Sequence, residues 1–139
     1  MSRDYAVYAP EGAHLSRDEL LRALGERGLS LDWEPDQIAA MIAERSGKDS
    51  ELVGSLKPAA GGRGVHLSVQ EAAPEDLIAT YGERLEQHIR DRVVASRTVY
   101  LVAASTGEDR PLAGTVAEVL ASLLSGAIHD SESREVRLP

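Results

Sequence analysis

The sequence predicts an α+β fold: a two-layer sandwich in which a mixed, mostly antiparallel sheet carries its helices on one face. The apolar run over residues 99–104 is typical of a buried strand. The helical pattern over residues 111–125 and the short apolar segment 126–130 complete a strand–helix–strand unit. Along the rest of the chain, helical and strand patterns occupy distinct segments. This order favours a layer of helices packed on a sheet. A ferredoxin-like arrangement is one variant of this architecture.

A single domain accounts for residues 1–139, because a chain of this length can bury one sizeable core. The apolar fraction of 42% and the charged fraction of 27% are ordinary for a folded protein. No repeat, low-complexity tract or linker divides the sequence. Because Phe is absent and Trp occurs once, we expect a core of aliphatic side chains.

The first part of the chain predicts a strand, a helix and a second strand. Residues 5–9 form an apolar strand segment that a Pro and a Gly end. Ser16 and Glu19 match the capping box, in which each side chain binds the other residue's backbone amide. The helix should end at Gly28, and residues 29–34 then alternate between apolar and polar side chains. This succession has the size of a βαβ unit.

The middle of the chain predicts a hairpin after an ambiguous segment. Residues 35–48 leave the choice of helix open, because their apolar side chains have helical spacing but the segment is short. Residues 51–57 and 65–70 alternate as two strands. The glycine-rich residues 59–64 between them predict the connection of an antiparallel hairpin.

Residues 74–95 predict the longest helix, which begins at a Pro followed by acidic residues. Its apolar stripe consists of Ile78, Tyr81, Leu85, Ile89 and Val93. Residues 131–137 are expected to form a charged tail. One core is expected to bury the following side chains: Leu20, Leu24, Leu31, Ile78, Leu85, Ile89, Val99, Leu101, Val116, Leu120 and Ile128.

The formal net charge of −8 restricts the partners of the protein. An acidic surface repels nucleic-acid phosphates and anionic lipid headgroups, so we expect neither nucleic-acid nor membrane binding. Long-range attraction instead favours a basic protein partner. The alternative is that the charge serves only solubility.

Composition excludes further classes of chemistry. The absence of Cys excludes disulfides, thiolate catalysis and Cys-based metal sites. The N-terminal residues show no apolar signal region, and no segment has the roughly 18 to 20 apolar residues that span a bilayer. We therefore expect a cytoplasmic location.

No pattern points to catalysis or to a metal ion. The four histidines are His14, His66, His88 and His129. None of them forms the i, i+4 pair that binds metals on a helix, and His129 and Asp130 are strand neighbours that point to opposite faces. A strand follows the glycine-rich residues 61–64, whereas a phosphate-binding loop needs a helix there. We expect no catalytic residue, no cofactor and no metal, and hence no enzyme.

Trp33 is the side chain best suited to contact a partner, because Trp is a frequent interface anchor. It lies between Asp32 and Glu34, and Asp36 follows two residues later. The alternative is that Trp33 fills space in a core without Phe. The strand end at residues 32–36 is therefore one candidate for protein binding.

A second candidate is the acidic turn of Glu108 and Asp109, which follows the apolar strand 99–104. A rigid sheet would present both acidic groups just beyond its strands. The predicted partner-binding residues are Asp32, Trp33, Glu34, Asp36, Glu108 and Asp109.

Mainly over residues 98–130, the chain resembles the small acidic immunity proteins that bacteria encode beside secreted toxins. The resemblance lies in residues 100–105, 116–121 and 126–130, together with the size, the acidity and the lack of Cys. It implies a non-enzymatic inhibitor that binds a basic toxin domain and occludes its active site. It implies no specific binding residue.

Two other classes remain open from the residues alone. One is a small-molecule-sensing or regulatory α+β domain that acts as a dimer, and the other is an enzyme with dispersed catalytic residues. The sequence leaves the oligomeric state open.

Overall fold

The computed structural model describes residues 4–59 and 61–139, which form one seven-stranded sheet and five α-helices. The strands are β1 (Asp4–Pro10), β2 (Leu31–Pro35), β3 (Gly54–Pro58), β4 (Val65–Glu71), β5 (Ser96–Ala104), β6 (Ala127–Asp130) and β7 (Glu135–Arg137). The helices are α1 (Arg17–Glu26), α2 (Gln37–Arg45), α3 (Pro74–Tyr81), α4 (Gln87–Val94) and α5 (Arg110–Leu124). Residues 1–3 and Ala60, part of the N-terminal segment and the hairpin connection considered above, lie outside the described residues.

The sheet confirms the α+β class. Its order is β2-β3-β4-β5-β1-β6-β7, and every described pair of neighbours is antiparallel, so the sheet is neither mixed nor a four-stranded ferredoxin-like one. The predicted βαβ unit is wrong, because three strands separate β1 from β2. The local pattern predicted both strands correctly, but it carries no information on their distant partners.

Alternate residues of the central strand β1 build the main core. Tyr5, Val7 and Ala9 point to the face that α1 and α5 cover, where Leu20 and Leu120 are fully buried. The alternation follows from the period of two along a strand.

The opposite face carries a second, smaller core. Tyr8 and its paired residue Ala127 lie there with Leu77 of α3 and Val93 of α4. α2 packs against β3 and β4, on the same side as α3 and α4. The expectation of helices on one face is therefore corrected. The apolar run in β1 is typical of a strand that is buried on both faces.

The single helix predicted for residues 74–95 is wrong. α3 ends at Tyr81, a 3₁₀ turn covers Gly82–Arg84, and the backbone at Leu85 and Glu86 is extended before α4 begins. The break changes which side chains of this segment are buried: Leu77 and Val93 are buried, whereas Ile78, Leu85 and Ile89, all expected in the core, are only half-buried. Leu31 of β2 and Leu101 of β5 were expected in the core as well and are also half-buried.

The predicted hairpin is confirmed, as β3 and β4 pair antiparallel. Its connection requires Gly64, which has a φ of +77° and whose missing Cβ would lie 1.9 Å from the Leu56 carbonyl oxygen. The ambiguous segment is helix α2, and the charged tail contains the short edge strand β7.

Candidate functional site

β2 forms one edge of the sheet and displays the first group of predicted acids. Asp32 and Glu34 are exposed, whereas Leu31 and Trp33 are half-buried and pack against the main core. An edge strand also leaves a row of backbone groups without a strand partner, which makes it accessible to another chain.

Trp33 serves the packing of the chain itself. A Cβ on Gly54 would lie 2.6 Å from the indole ring, so the ring covers that glycine closely. On α1, the Arg17 guanidinium lies 5.9 Å from the ring centroid, within cation–π range. The half-buried indole therefore fits the alternative of a space-filling side chain better than that of a fully presented anchor.

Glu34 and Asp36 differ in their contacts. Glu34 is exposed and lies 2.5 Å from the Nζ atom of Lys57 on β3. Asp36 caps α2, because its Oδ1 accepts a hydrogen bond of 3.0 Å from the Ala39 amide, and its Oδ2 lies 2.9 Å from Nε2 of His66. The pKa of Asp36 is lowered first by the Ala39 bond and then by His66. Asp36 is thus a helix cap, whereas Glu34 is an exposed acid in a surface ion pair with Lys57, which contributes little to stability.

α2 exposes a large apolar surface beside these acids. Ile38, Met41 and Ile42 are 71%, 44% and 58% exposed, and their spacing places them on one side of the helix. We call these three residues the α2 face. On the opposite side, Ala43 is buried against the sheet. The sequence pattern left this helix ambiguous, and it did not indicate that the large apolar side chains point outward.

The second predicted acidic turn is only partly exposed. Glu108 is exposed, but Asp109 is 8% exposed, and its Oδ2 accepts a hydrogen bond of 2.8 Å from the Thr106 hydroxyl. The expectation that Asp109 is presented to a partner is therefore corrected. The turn lies on a groove of about 640 Å³ whose apolar lining includes Leu29, Leu31, Pro58 and Leu112.

Sequence reasoning missed a charged network between β1, β6 and α5. Arg110 lies over the ring of Tyr5 and donates to its hydroxyl. The same guanidinium donates to Asp130 at 2.6 Å and to Glu132 at 2.5 Å. Burial opposes ionisation of Asp130, but the amides of Ser133 and Glu132, together with Arg110, lower its pKa below the usual value. The network ties β1, the turn after β6 and the start of α5 together.

The prediction that His129 and Asp130 do not pair is confirmed. Asp130 faces Arg110, whereas His129 lies on the other side with its Nε2 3.2 Å from the Tyr81 hydroxyl. Burial lowers the pKa of His129, so the neutral imidazole is favoured there.

A cluster that the sequence did not indicate lies on the surface beside α1. His14 follows β1, while Asp49 and Glu51 precede β3. In the part of the chain that the structure describes, these residues are the one group of at least three His or carboxylate side chains whose ligand atoms converge, all within 4.8 Å of one another. The spacing of the histidines along the sequence does not indicate this cluster, because only the fold joins the two loops.

Comparison of the chain with protein-family models, with curated proteins and with solved structures found no match in any of the three. None of the described helices has both the length and the hydropathy that a membrane span requires.

Proposed function

We propose that this protein is a non-enzymatic inhibitor: an immunity protein that binds a basic toxin domain in the bacterial cytoplasm and covers its active site. The observation that carries the proposal is the α2 face, which exposes Ile38, Met41 and Ile42 together beside the acidic end of β2. Large contiguous apolar patches are uncommon on monomers and mark interaction sites.

The α2 face has the composition of an interface core. Burying one Ile or Met side chain contributes about 1.5 to 3 kcal/mol, so three of them supply a substantial part of the free energy of a stable complex. They lie at i, i+3 and i+4, which is the spacing by which a helix docks into a groove of a partner. The α2 face is thus the predicted centre of the interface.

Acidic side chains beside the α2 face supply the polar rim of the proposed interface. Glu34 and Asp36 lie with Ile38 around a shallow pocket, and Asp32 lies further along the same edge strand. Glu108 lies apart from this rim, on the groove that Leu31 and Leu112 line at the main-core face. With the net charge of −8, this edge attracts a basic protein and repels nucleic acid.

Substitution of the α2 face tests the proposal. In bacteria that express the product of the neighbouring gene, the wild-type chain should restore growth, and Ile38→Ser with Ile42→Ser should abolish that protection. The same variant should lose complex formation in a pull-down and keep its melting temperature, because both side chains are exposed. The matched control is Val94→Ser with Leu123→Ser, which removes two exposed apolar side chains elsewhere.

The control variant should protect as well as wild type. A neighbouring product that is harmless alone, or toxicity that persists with the wild-type chain, would contradict the immunity function. Equal loss in the two double variants would show that the α2 face is not the specific surface.

The groove favours a second candidate, a small-molecule-sensing domain that acts as a dimer. Its volume of about 640 Å³ and its lining of Leu29, Leu31 and Leu112 suit a small apolar ligand. A metabolite that raises the melting temperature, with loss of that effect in Leu112→Glu, would favour the sensor over the inhibitor.

A further inference from the structure

The cluster of His14, Asp49 and Glu51 joins two loops that are far apart in the sequence. Leu15 and Leu52, the next residue along each loop, are 3% and 2% exposed, so each loop is anchored in the main core. The three polar side chains lie on the surface above these anchors. The core thus fixes the backbone from which all three side chains project.

Each carboxylate is oriented by a backbone amide. Glu51 Oε1 accepts a bond of 3.0 Å from the amide of Arg17, the first residue of α1. Asp49 Oδ1 accepts a bond of 2.9 Å from the Glu51 amide. The second oxygen of each acid faces His14: Asp49 Oδ2 lies 2.8 Å from Nδ1, and Glu51 Oε2 lies 3.9 Å from Nε2.

We propose that His14, Asp49 and Glu51 bind one divalent transition-metal ion, with Zn²⁺ the best-suited ion. Nitrogen and oxygen ligands lie about 2.0 to 2.2 Å from zinc, so two ligands of one ion are about 3 to 4 Å apart. The ligand atoms here already lie within 4.8 Å, and small movements of exposed side-chain tips close the site around an ion. Water completes the coordination.

The donor set determines the class of metal. One imidazole favours zinc and similar ions over Mg²⁺ and Ca²⁺, which prefer all-oxygen sites. The two acids neutralise the charge of the ion, and the Arg17 amide supplies the outer hydrogen bond that orients a ligating carboxylate. The other surface histidines differ: His88 has Glu86 beside it at 3.4 Å, and His66 has Asp36, without a third ligand in either case among the described residues.

This site departs from the expectation of no metal that the histidine spacing gave, and it is independent of the inhibitor proposal. The ion links the loop after β1 to the loop before β3 and therefore stabilises the folded state. Because binding favours the native state alone, saturation with the ion raises the melting temperature.

Calorimetric titration with Zn²⁺ tests the proposal on the full chain, purified without a histidine tag and treated with chelator. We expect one equivalent to bind and the melting temperature to rise. His14→Gln, Asp49→Asn and Glu51→Gln should each weaken binding at least tenfold, since loss of outer hydrogen bonds alone costs about 10- to 100-fold. His88→Gln is the matched control and should bind Zn²⁺ as wild type does.

The wild-type protein gives a second readout that does not depend on the folding of the variants. In an NMR spectrum of the imidazole groups, one equivalent of Zn²⁺ should shift the His14 signals and leave the His88 signals in place. Absence of a one-to-one event, or equal binding by His14→Gln and wild type, would overturn the proposal. A shift of His88 in place of His14 would overturn it as well.

Discussion

At the residue scale, the sequence predicts contacts between near neighbours and misses those between distant ones. The capping box of Ser16 and Glu19 is confirmed, with the Glu19 amide 3.1 Å from the Ser16 hydroxyl, because both partners lie within one helical turn. The bond between Arg110 and Tyr5 spans 105 residues, and no local spacing encodes it. The site beside α1 depends equally on the fold, since it joins His14 to Asp49 and Glu51.

Asp130 should make the stability of the protein sensitive to acid. Its pKa is lowered in the folded state, because the Ser133 and Glu132 amides and Arg110 outweigh the effect of burial. Its contribution is therefore fully present above the unfolded-state pKa of about 3.9 and is lost as the pH falls through the lower folded-state value. Asp130→Asn should cost on the order of 2 kcal/mol at neutral pH, as hydrogen bonds to a charged group contribute about 1.5 to 3 kcal/mol.

Urea unfolding of wild type and Asp130→Asn at pH 7 and near pH 3 measures this effect. The difference in the free energy of unfolding should shrink at the lower pH. Asp32→Asn removes an exposed carboxylate and serves as the control, with little change at either pH. A difference for Asp130→Asn that is independent of pH would contradict the assignment.

At the element scale, hydrophobic periodicity predicts which residues share a side but not what covers that side. The pattern in α2 places Ile38, Met41 and Ile42 together, and the fold leaves all three in solvent. Along residues 74–95, the helical spacing of apolar residues is continuous and gives no sign of the break at Leu85 and Glu86. The extended backbone of these two residues redirects the chain. Helical periodicity was thus readable from the sequence, whereas the choice of helix for the short α2 segment, the burial of its side chains and the continuity of residues 74–95 depended on tertiary packing.

We expect two leucines, both predicted from the sequence to lie in the core, to contribute differently to the free energy of unfolding. Leu120 of α5 is fully buried in the main core, whereas Leu101 of β5 points to the less covered face and is half-buried. Leu120→Ala should therefore lower the free energy of unfolding by about 2 to 5 kcal/mol, and Leu101→Ala by less. Urea unfolding with unchanged m-values provides the comparison, and an equal or larger loss for Leu101→Ala would contradict the burial pattern.

At the scale of the whole molecule, the fold class followed from the sequence, but the strand order did not. β1 pairs with β5, about 90 residues away, and the choice among distant partners depends on packing that no local pattern records. The same packing positions the acidic residues, because it places β2 with Asp32 and Glu34 outermost and brings Glu108 onto a separate groove beside Leu31. The sequence marked these acids as candidates, and the fold determines which of them remain exposed.

Association with a basic partner should depend on where the acidic charge lies. Glu34→Lys changes the net charge from −8 to −6, since one negative charge is replaced by one positive charge. It should slow association measured by stopped flow, most strongly at low salt, because exposed charges are screened over about 10 Å at 0.1 M ionic strength. The melting temperature should change little, since the exposed pair of Glu34 and Lys57 contributes about 0 to 1 kcal/mol. Glu83→Lys produces the same net charge on the 3₁₀ turn between α3 and α4, and it should slow association less. Equal slowing by the two variants would mean that the overall charge, and not the β2 edge, steers the partner.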